Sequence, residues 1–337
     1  MNGSYMYILI AVFLILLLLL SKLFNRKIML GIWSITVFHS NTIISKQPNG
    51  KKIKDPTLQA SDVSDVPAEF VADPFIISDE SKFYMFFEIL DKSTGKGIIG
   101  LATSIDGENW AYDRAVLREN FHLSYPYVFK FNEDFYMIPE SCEANKVLLY
   151  KAKNFPYEWE IACELIQGKY VDSSIFQYNN KWWMLAGKSG KLHLFYSNKL
   201  EGDWLEHPKS PLISNNVSIT RPGGRVIVDR GNIYRYTQDG KPSYGSAVRV
   251  FKITRLSEFE YEEVELNVVL RGTKREIDWN KDGMHTIDQL KIAENRWLIA
   301  VDGHKLANKN YFLWKIDRVF AKNFARIKSF SGTMDDV

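Results

Sequence analysis

From Phe70 to Glu88 the chain reads FVADPFIISDESKFYMFFE: an apolar run, a polar turn at Ser78–Ser81, and a second apolar run that ends at Glu88. Two apolar runs joined by a short polar turn predict a β-hairpin. The start of one strand and the end of the next then lie together, so Asp73 and Glu88 share a rim. The pattern recurs. An aromatic residue opens the second strand eleven positions after Asp73, Tyr125, Asp172, Gly223 and Thr286, at Tyr84, Tyr136, Trp183, Tyr234 and Trp297. Four residues beyond each aromatic stand Glu88, Glu140, Gly187, Gln238 and Val301. Successive copies begin 52, 47, 51 and 63 residues apart. That period, carried by strand patterning, predicts propeller blades and excludes a helical array.

Each copy continues with a third strand, expected at Ile98–Ala102, Val147–Tyr150, Leu192–Tyr196, Val248–Phe251 and Tyr311–Trp314. Trp110, Trp159 and Trp204 are placed to open outer strands and pack between blades. The fold class is therefore all-β, a five-bladed β-propeller over residues 66–319. The fifth blade is one strand short. Residues 31–38, GIWSITVF, are expected to supply it and close the ring, which removes free sheet edges.

Ahead of the blades, Met6–Leu20 is an unbroken apolar run. About 20 apolar residues span a bilayer as a helix, and residues 5–24 predict one N-terminal transmembrane anchor. No basic residue precedes the run and no A-x-A site follows it, which argues against a cleaved signal peptide. Lys22, Arg26 and Lys27 follow the segment, so the positive-inside rule places the propeller on the cytoplasmic side. Residues 25–65 read as a linker that contains the ring-closing strand, and residues 320–337 as a polar tail, helical or disordered.

Composition narrows the function. Aromatic residues make up 14% of the 337, as inter-blade packing needs, and the net charge is only +3 with both signs dispersed, which gives no case for nucleic acid. Cys142 and Cys163 follow no CxxC spacing, so neither a disulfide framework nor a zinc site is indicated. No dinucleotide, P-loop or metalloprotease motif is present, and no cofactor or metal is expected.

In a propeller the inner strands surround a channel, and their ends line one funnel. The frame persists from blade to blade while the funnel residues change, as expected of a site grafted on a scaffold. Carboxylates converging from separate blades suit glycosyl chemistry, which uses one carboxyl as acid and another as base or nucleophile. Asp73 is the candidate base and Glu140 the candidate acid, with Asp172 tuning them or binding hydroxyls. Arg221 and Arg225, beside Gly223 and Gly224, suit a carboxylate or phosphate. Tyr125 and Tyr244 suit a sugar face, and Gln238, Asp239 and His285 complete the expected lining, with His122 and Ser124 beside it. Each has a plainer role as well: Asp73 before Pro74 as a turn residue, Asp172 as the cap of a Ser–Ser turn, Glu88 as the partner of a nearby cation, His285 as a hydrogen-bonded structural residue.

Taken together, ADPF, SYPYVF with IPES, DSSIF with WWM, RPGGR with QD and YG, and GMHT resemble the N-terminal domain of the plant glucosamine inositolphosphorylceramide transferases and its bacterial relatives. The resemblance covers roughly residues 31–319. It implies a five-bladed propeller related to glycoside hydrolases of the arabinanase and xylosidase type. In those hydrolases the base Asp opens the first blade, which Asp73 matches; a second Asp is expected where this chain has Tyr125, and a Glu where it has Asp172. In the plant proteins the recognised sugar-transfer domain is a separate C-terminal one, so that activity is not carried over. The implied ligand is a glycan, glycolipid or sugar phosphate. Two readings stand: a membrane-anchored enzyme that cleaves or transfers a glycosyl unit, and a non-catalytic glycan-binding propeller that positions a partner glycosyltransferase.

Overall fold

The structure, a computed structural model, describes residues 3–44 and 56–331. Of the linker expected at 25–65, positions 45–55 therefore lie outside the described residues. The chain divides into two units, Trp33–Asp91 with Gly95–Lys305, and Met1–Ile32 with Lys92–Thr94 and Leu306–Val337.

The larger unit carries five antiparallel sheets, the blades. Blade one runs Ala68–Asp79, Lys82–Asp91, Gly97–Ser104 and Ala111–Leu117, and blade two runs Ser124–Phe131, Asp134–Glu140, Lys146–Asn154 and Glu158–Gln167. In blade three the inner strands are Val171–Tyr178, Lys181–Lys188 and Lys191–Ser197; in blade four the short inner pieces Arg221–Pro222 and Ile227–Asp229 are followed by Asn232–Asp239, Ala247–Leu256 and Tyr261–Arg271. Blade five has three strands, ordered Ile287–Ala293, Arg296–Asn310, Lys27–Ser40. The strand missing from its own sequence repeat thus comes from the N-terminal side, as the spacing predicted.

One expectation is corrected. Tyr311–Trp314 is not a third strand but the start of a helix, Tyr311–Ser331. Asn310 decides this: its side-chain oxygen accepts the backbone N–H of Leu313 at 3.0 Å, which caps the first turn. An aromatic, β-prone string reads as a strand only while no cap starts a helix ahead of it.

Blades meet through aromatic residues. Phe75 of blade one packs on Tyr127 of blade two with centroids 5.3 Å apart, and Trp182 of blade three meets Phe131 of blade two at 5.0 Å. The three outer tryptophans repeat one device: each indole N–H donates to a carbonyl three or four residues back, Trp110 to Gly107, Trp159 to Pro156 and Trp204 to Leu200. Trp159 packs edge-on against Phe86 of the neighbouring blade at 5.5 Å.

At the axis the inner strands are stitched by polar groups. The Arg225 guanidinium donates to Asp288 at 2.7 and 3.1 Å and to the carbonyls of Val128 and Ile76 at 3.0 and 3.3 Å. Asp288 also accepts the Ile76 N–H at 2.7 Å. One side chain therefore binds blades one, two, four and five. Above it, the Tyr125 hydroxyl lies 2.8 Å from Ser174 Oγ and accepts the Gly224 N–H at 2.6 Å. Gly224 is required there, because a Cβ would come within 1.9 Å of the Ile287 carbonyl oxygen.

The smaller unit contains helix α1, Gly3–Asn25, and helix α2, Tyr311–Ser331. Among the described residues no helix is long and apolar enough to cross a membrane. Several side chains of the expected anchor, at positions 9, 17–20 and 23, lie outside the described ones.

The axial tie generates a stability prediction. Arg225→Leu leaves the Asp288 carboxylate buried without its partner, and the expected cost is about 3–5 kcal/mol, read as a lower urea midpoint. The double variant Arg225→Leu/Asp288→Leu recovers a large part of that loss.

Candidate functional site

The first three inner strands share a local fault. Pairing slips between Ala72 and Phe75, between Ser124 and Tyr127, and between Val171 and Ser174. The first residue inside each slip has a left-handed backbone: Asp73 at φ 52°, Tyr125 at 46° and Asp172 at 53°. A bulge with a non-glycine residue in that region costs on the order of 1–3 kcal/mol and re-aims the side chain. Here it turns three side chains from three blades toward the axis.

Asp73 is buried. Its Oδ1 accepts the Thr286 hydroxyl at 2.6 Å and lies 3.6 Å from His285 Nε2, while its N–H donates to Asp302 at 2.9 Å. Asp302, on the second strand of blade five, also lies 2.7 Å from His285 Nδ1 and accepts the backbone N–H groups of His285 and Thr286. Burial pushes the Asp73 carboxyl up to about 6, with the charges of Asp302 and Asp172 adding to the shift against the pull of His285. For His285 burial opposes the charged form, but Asp302 and Asp73 outweigh it and raise its pKa. The same ion pair holds the Asp302 carboxyl below its ordinary value despite burial.

Glu88 is opposite Ala72, one residue before the first bulge. Burial raises its pKa well above the usual carboxylate value, and the charges of Asp73, Glu140, Asp302 and Asp172 raise it further. Acids from blades one, two, three and five thus bear on this one carboxyl. The neighbour of Glu88 is His122, whose Nε2 is 3.4 Å away and whose Nδ1 accepts the Gly97 N–H at 2.9 Å.

The other expected residues divide. Asp172 is gripped by the Arg221 guanidinium and by the Gln238 amide at 2.7 Å. Tyr244 is half exposed, with the Arg221 guanidinium 5.3 Å from its ring centre and the His285 ring edge-on at 5.3 Å. Glu140 has both oxygens engaged, one by the Ser124 hydroxyl at 3.1 Å and one by the Cys142 N–H at 2.8 Å. Three residues serve elsewhere. Tyr125 is a fully buried axial pillar and offers no open ring, Arg225 is the axial tie, and Asp239 is taken by Arg249 at 2.7 Å and by the Lys241 N–H at 3.0 Å. Both cysteine thiols are free.

A cleft of about 430 Å³ opens beside the basin, lined by Val171, Lys188, Arg221, Gly240 and Tyr244 among others. This lies within the size range of small-ligand sites. Asp73, His285 and Asp302 offer donor atoms within 4.8 Å of one another, close enough to hold a cation. Both Asp302 oxygens are already engaged by His285, Thr286 and Asp73, so the trio as folded is a hydrogen-bonded network.

Asp302 and Trp33 escape sequence reasoning. The repeat marks Val301, four residues past its aromatic, but Val301 is paired with Ile287 and buried in the core, and the rim acid is its neighbour. The Asp-Gly-His string after it was the available signal. Trp33, on the ring-closing strand, lies 4.1 Å from both His285 and His304 by ring centres.

Comparison with known proteins gives the fold and the family. Among solved structures, a glycoside hydrolase described as putative from Parabacteroides distasonis superposes with a TM-score of 0.55 at 12% identity, over 76% of this chain and 95% of that one. An exo-1,5-α-L-arabinanase from a bovine ruminal metagenomic library gives 0.52 at 15% identity, over 71% and 92%. Likeness at that identity concerns the fold alone. Glucosamine inositolphosphorylceramide transferase 1 of rice (Oryza sativa subsp. japonica) is 33% identical over 300 residues, 82% of this chain, and that of Arabidopsis thaliana is 33% identical over 306 residues, 84% of this chain. In both cases the match spans 40% of the relative's length. Residues 29–304 match the family described as glucosamine inositolphosphorylceramide transferase 1, N-terminal, and the chain belongs to that family.

Proposed function

We propose that this chain is a membrane-anchored carbohydrate-active propeller that hydrolyses or transfers a glycosyl unit of a glycan or glycolipid at the basin between Asp73, Glu88 and Arg221. One observation carries the reading: two buried carboxyl groups on paired strands of blade one, Glu88 and Asp73, are both pushed above the ordinary carboxylate value by burial and by the acids around them. Environments that separate the pKa values of neighbouring acids assign their roles. Glu88, whose carboxyl burial and the surrounding like charge push well above the usual carboxylate value, donates a proton to the departing oxygen. Asp73, ionised above pH about 6, takes the proton of the attacking hydroxyl. This keeps the base where the sequence put it and moves the acid from Glu140, whose oxygens are both engaged, to Glu88. Asp172 and Arg221 form a fixed ion pair beside Tyr244, whose half-exposed ring suits a sugar face.

The anchor reading draws on exposure. Helix α1 presents apolar side chains on all sides, from Tyr5 at 66% and Ile8 at 60% to Phe13 at 61% and Leu16 at 54%. A helix apolar all round belongs in a core or a bilayer. Lys22, Arg26 and Lys27, which follow the apolar run, favour a propeller on the cytoplasmic side. A second reading, a glycan-binding propeller that positions a partner glycosyltransferase, draws on the Asp172–Arg221 pair, which occupies one candidate carboxylate.

Kinetics separate the two. With aryl glycosides, glycosyl phosphates and sugar nucleotides as probes, Glu88→Gln and Asp73→Asn are expected to bind ligand and to lose about 10²–10⁴-fold in turnover, while Glu140→Gln loses far less. Wild-type kcat/KM should fall on the acid side of pH 6. Binding without turnover in the wild type sinks the catalytic reading. Stability supplies an independent check on Asp73. A carboxyl raised in the folded state favours folding below its unfolded pKa, and that contribution is lost as pH rises through the folded value. Asp73→Asn is therefore expected to be the more stable protein at pH 7.5, by up to about 3 kcal/mol, and to match the wild type near pH 3.5 in denaturation midpoint.

A further inference from the structure

Helix α2 contributes nothing to the basin, and its side chains are described as far as Asn323. At 100° per residue, Phe312, Leu313, Ile316, Val319 and Phe320 fall in one sector about 120° wide, while Lys315, Lys322 and Arg318 fall along the flank beside Val319. The apolar sector is open: Leu313 is 63% exposed, Val319 59% and Phe320 69%. The acid of this stretch, Asp317, is engaged by Lys92 at 2.9 Å, so the outward charge is positive. Aromatic rings lie under the cations, with Arg318 5.0 Å from the Trp314 ring centre and Lys315 5.6 Å from those of Tyr311 and Trp314.

The start of the helix is fastened to the end of α1. The Tyr311 N–H donates to the Arg26 carbonyl at 2.8 Å, the Arg26 guanidinium lies 4.1 Å over the Tyr311 ring, and Phe24 meets Phe312 edge-on at 4.7 Å. The Asn310 amide donates to the Phe24 carbonyl. Where α1 leaves its apolar run, α2 therefore begins.

We infer that α2 is an interfacial helix that lies along an anionic lipid surface, with Leu313, Ile316 and Phe320 toward the acyl chains and Lys315, Arg318 and Lys322 among the headgroups. An apolar sector, a cationic flank at the headgroup level and bordering aromatics suit such a helix. The cations select an anionic leaflet over a neutral one. Lys315 and Lys322 are exposed, and among the described side chains of the helix the acid, Asp317, is held by Lys92, which suits anionic headgroups. The inference leans on the anchor reading for its address and not on the carbohydrate reading.

The test uses the full chain, with Cys142→Ser, Cys163→Ser and Phe320→Cys carrying an NBD probe, reconstituted in phosphatidylcholine vesicles with or without phosphatidylglycerol. Blue-shifted emission quenched by brominated acyl chains is expected with phosphatidylglycerol, and its loss is expected in Lys315→Glu/Arg318→Glu/Lys322→Glu. A probe that stays in water on both vesicles overturns the inference. Equal quenching on both overturns the choice of anionic lipid. A probe shielded in detergent and unquenched by lipid points to a second copy or a protein partner and overturns it as well. Resistance to carbonate extraction reads α1 separately, so failure of the anchor is distinguishable from failure of α2.

Discussion

The left-handed bulge at the start of the first three inner strands is the constraint on which the rim depends. A regular strand alternates its side chains between the two faces of a blade and sends none along the axis. Inserting one residue breaks that alternation, and φ near 50° swings Asp73, Tyr125 and Asp172 inward. The strain is offset by bonds that exist only in the bulged state: Asp73 to Thr286 and Asp302, Tyr125 to Ser174 and Gly224, Asp172 to Arg221 and Gln238. Strain of this kind persists where the surroundings over-determine it.

Along the axis the polar groups separate into two jobs. Arg225 with Asp288, and Tyr125 with Ser174, close the channel with saturated hydrogen bonds between blades. Groups held in such a network are committed to joining blades. Toward the rim the balance changes. Glu88 and Asp73 sit in a buried field of like charge, with the His285 ring held between Asp73 and Asp302 and the Arg221 guanidinium on Asp172. Excess negative charge in a low-dielectric place is relieved by protonation, and protonation near neutral pH is what acid–base chemistry uses.

Much of this was legible in the residues. The eleven-residue offset from Asp73 to Tyr84 and its four repeats are a local property of hairpins, and local spacing survives in sequence. The rim partnership of Asp73 and Glu88 followed from hairpin geometry alone, and the ring-closing strand from counting strands. Tyr311–Trp314 was misread because strand and helix share aromatic, apolar composition over four residues, and the cap at Asn310 outweighed it.

The repeat by itself determined the number of blades, the order of the hairpins and which positions face the axis, because period and polarity are properties of the chain. Only the tertiary structure decided which axial residues are ligand-facing and which are stays. Arg221 and Arg225 flank the same two glycines, yet one grips Asp172 beside Tyr244 and the other donates to Asp288 and to two carbonyls from distant blades. Asp302 likewise became part of the site only when the fifth blade set it against Asp73, 229 residues earlier in the chain. Charge and hydrogen-bond balance are sums over neighbours, and the neighbours here come from every blade of the ring.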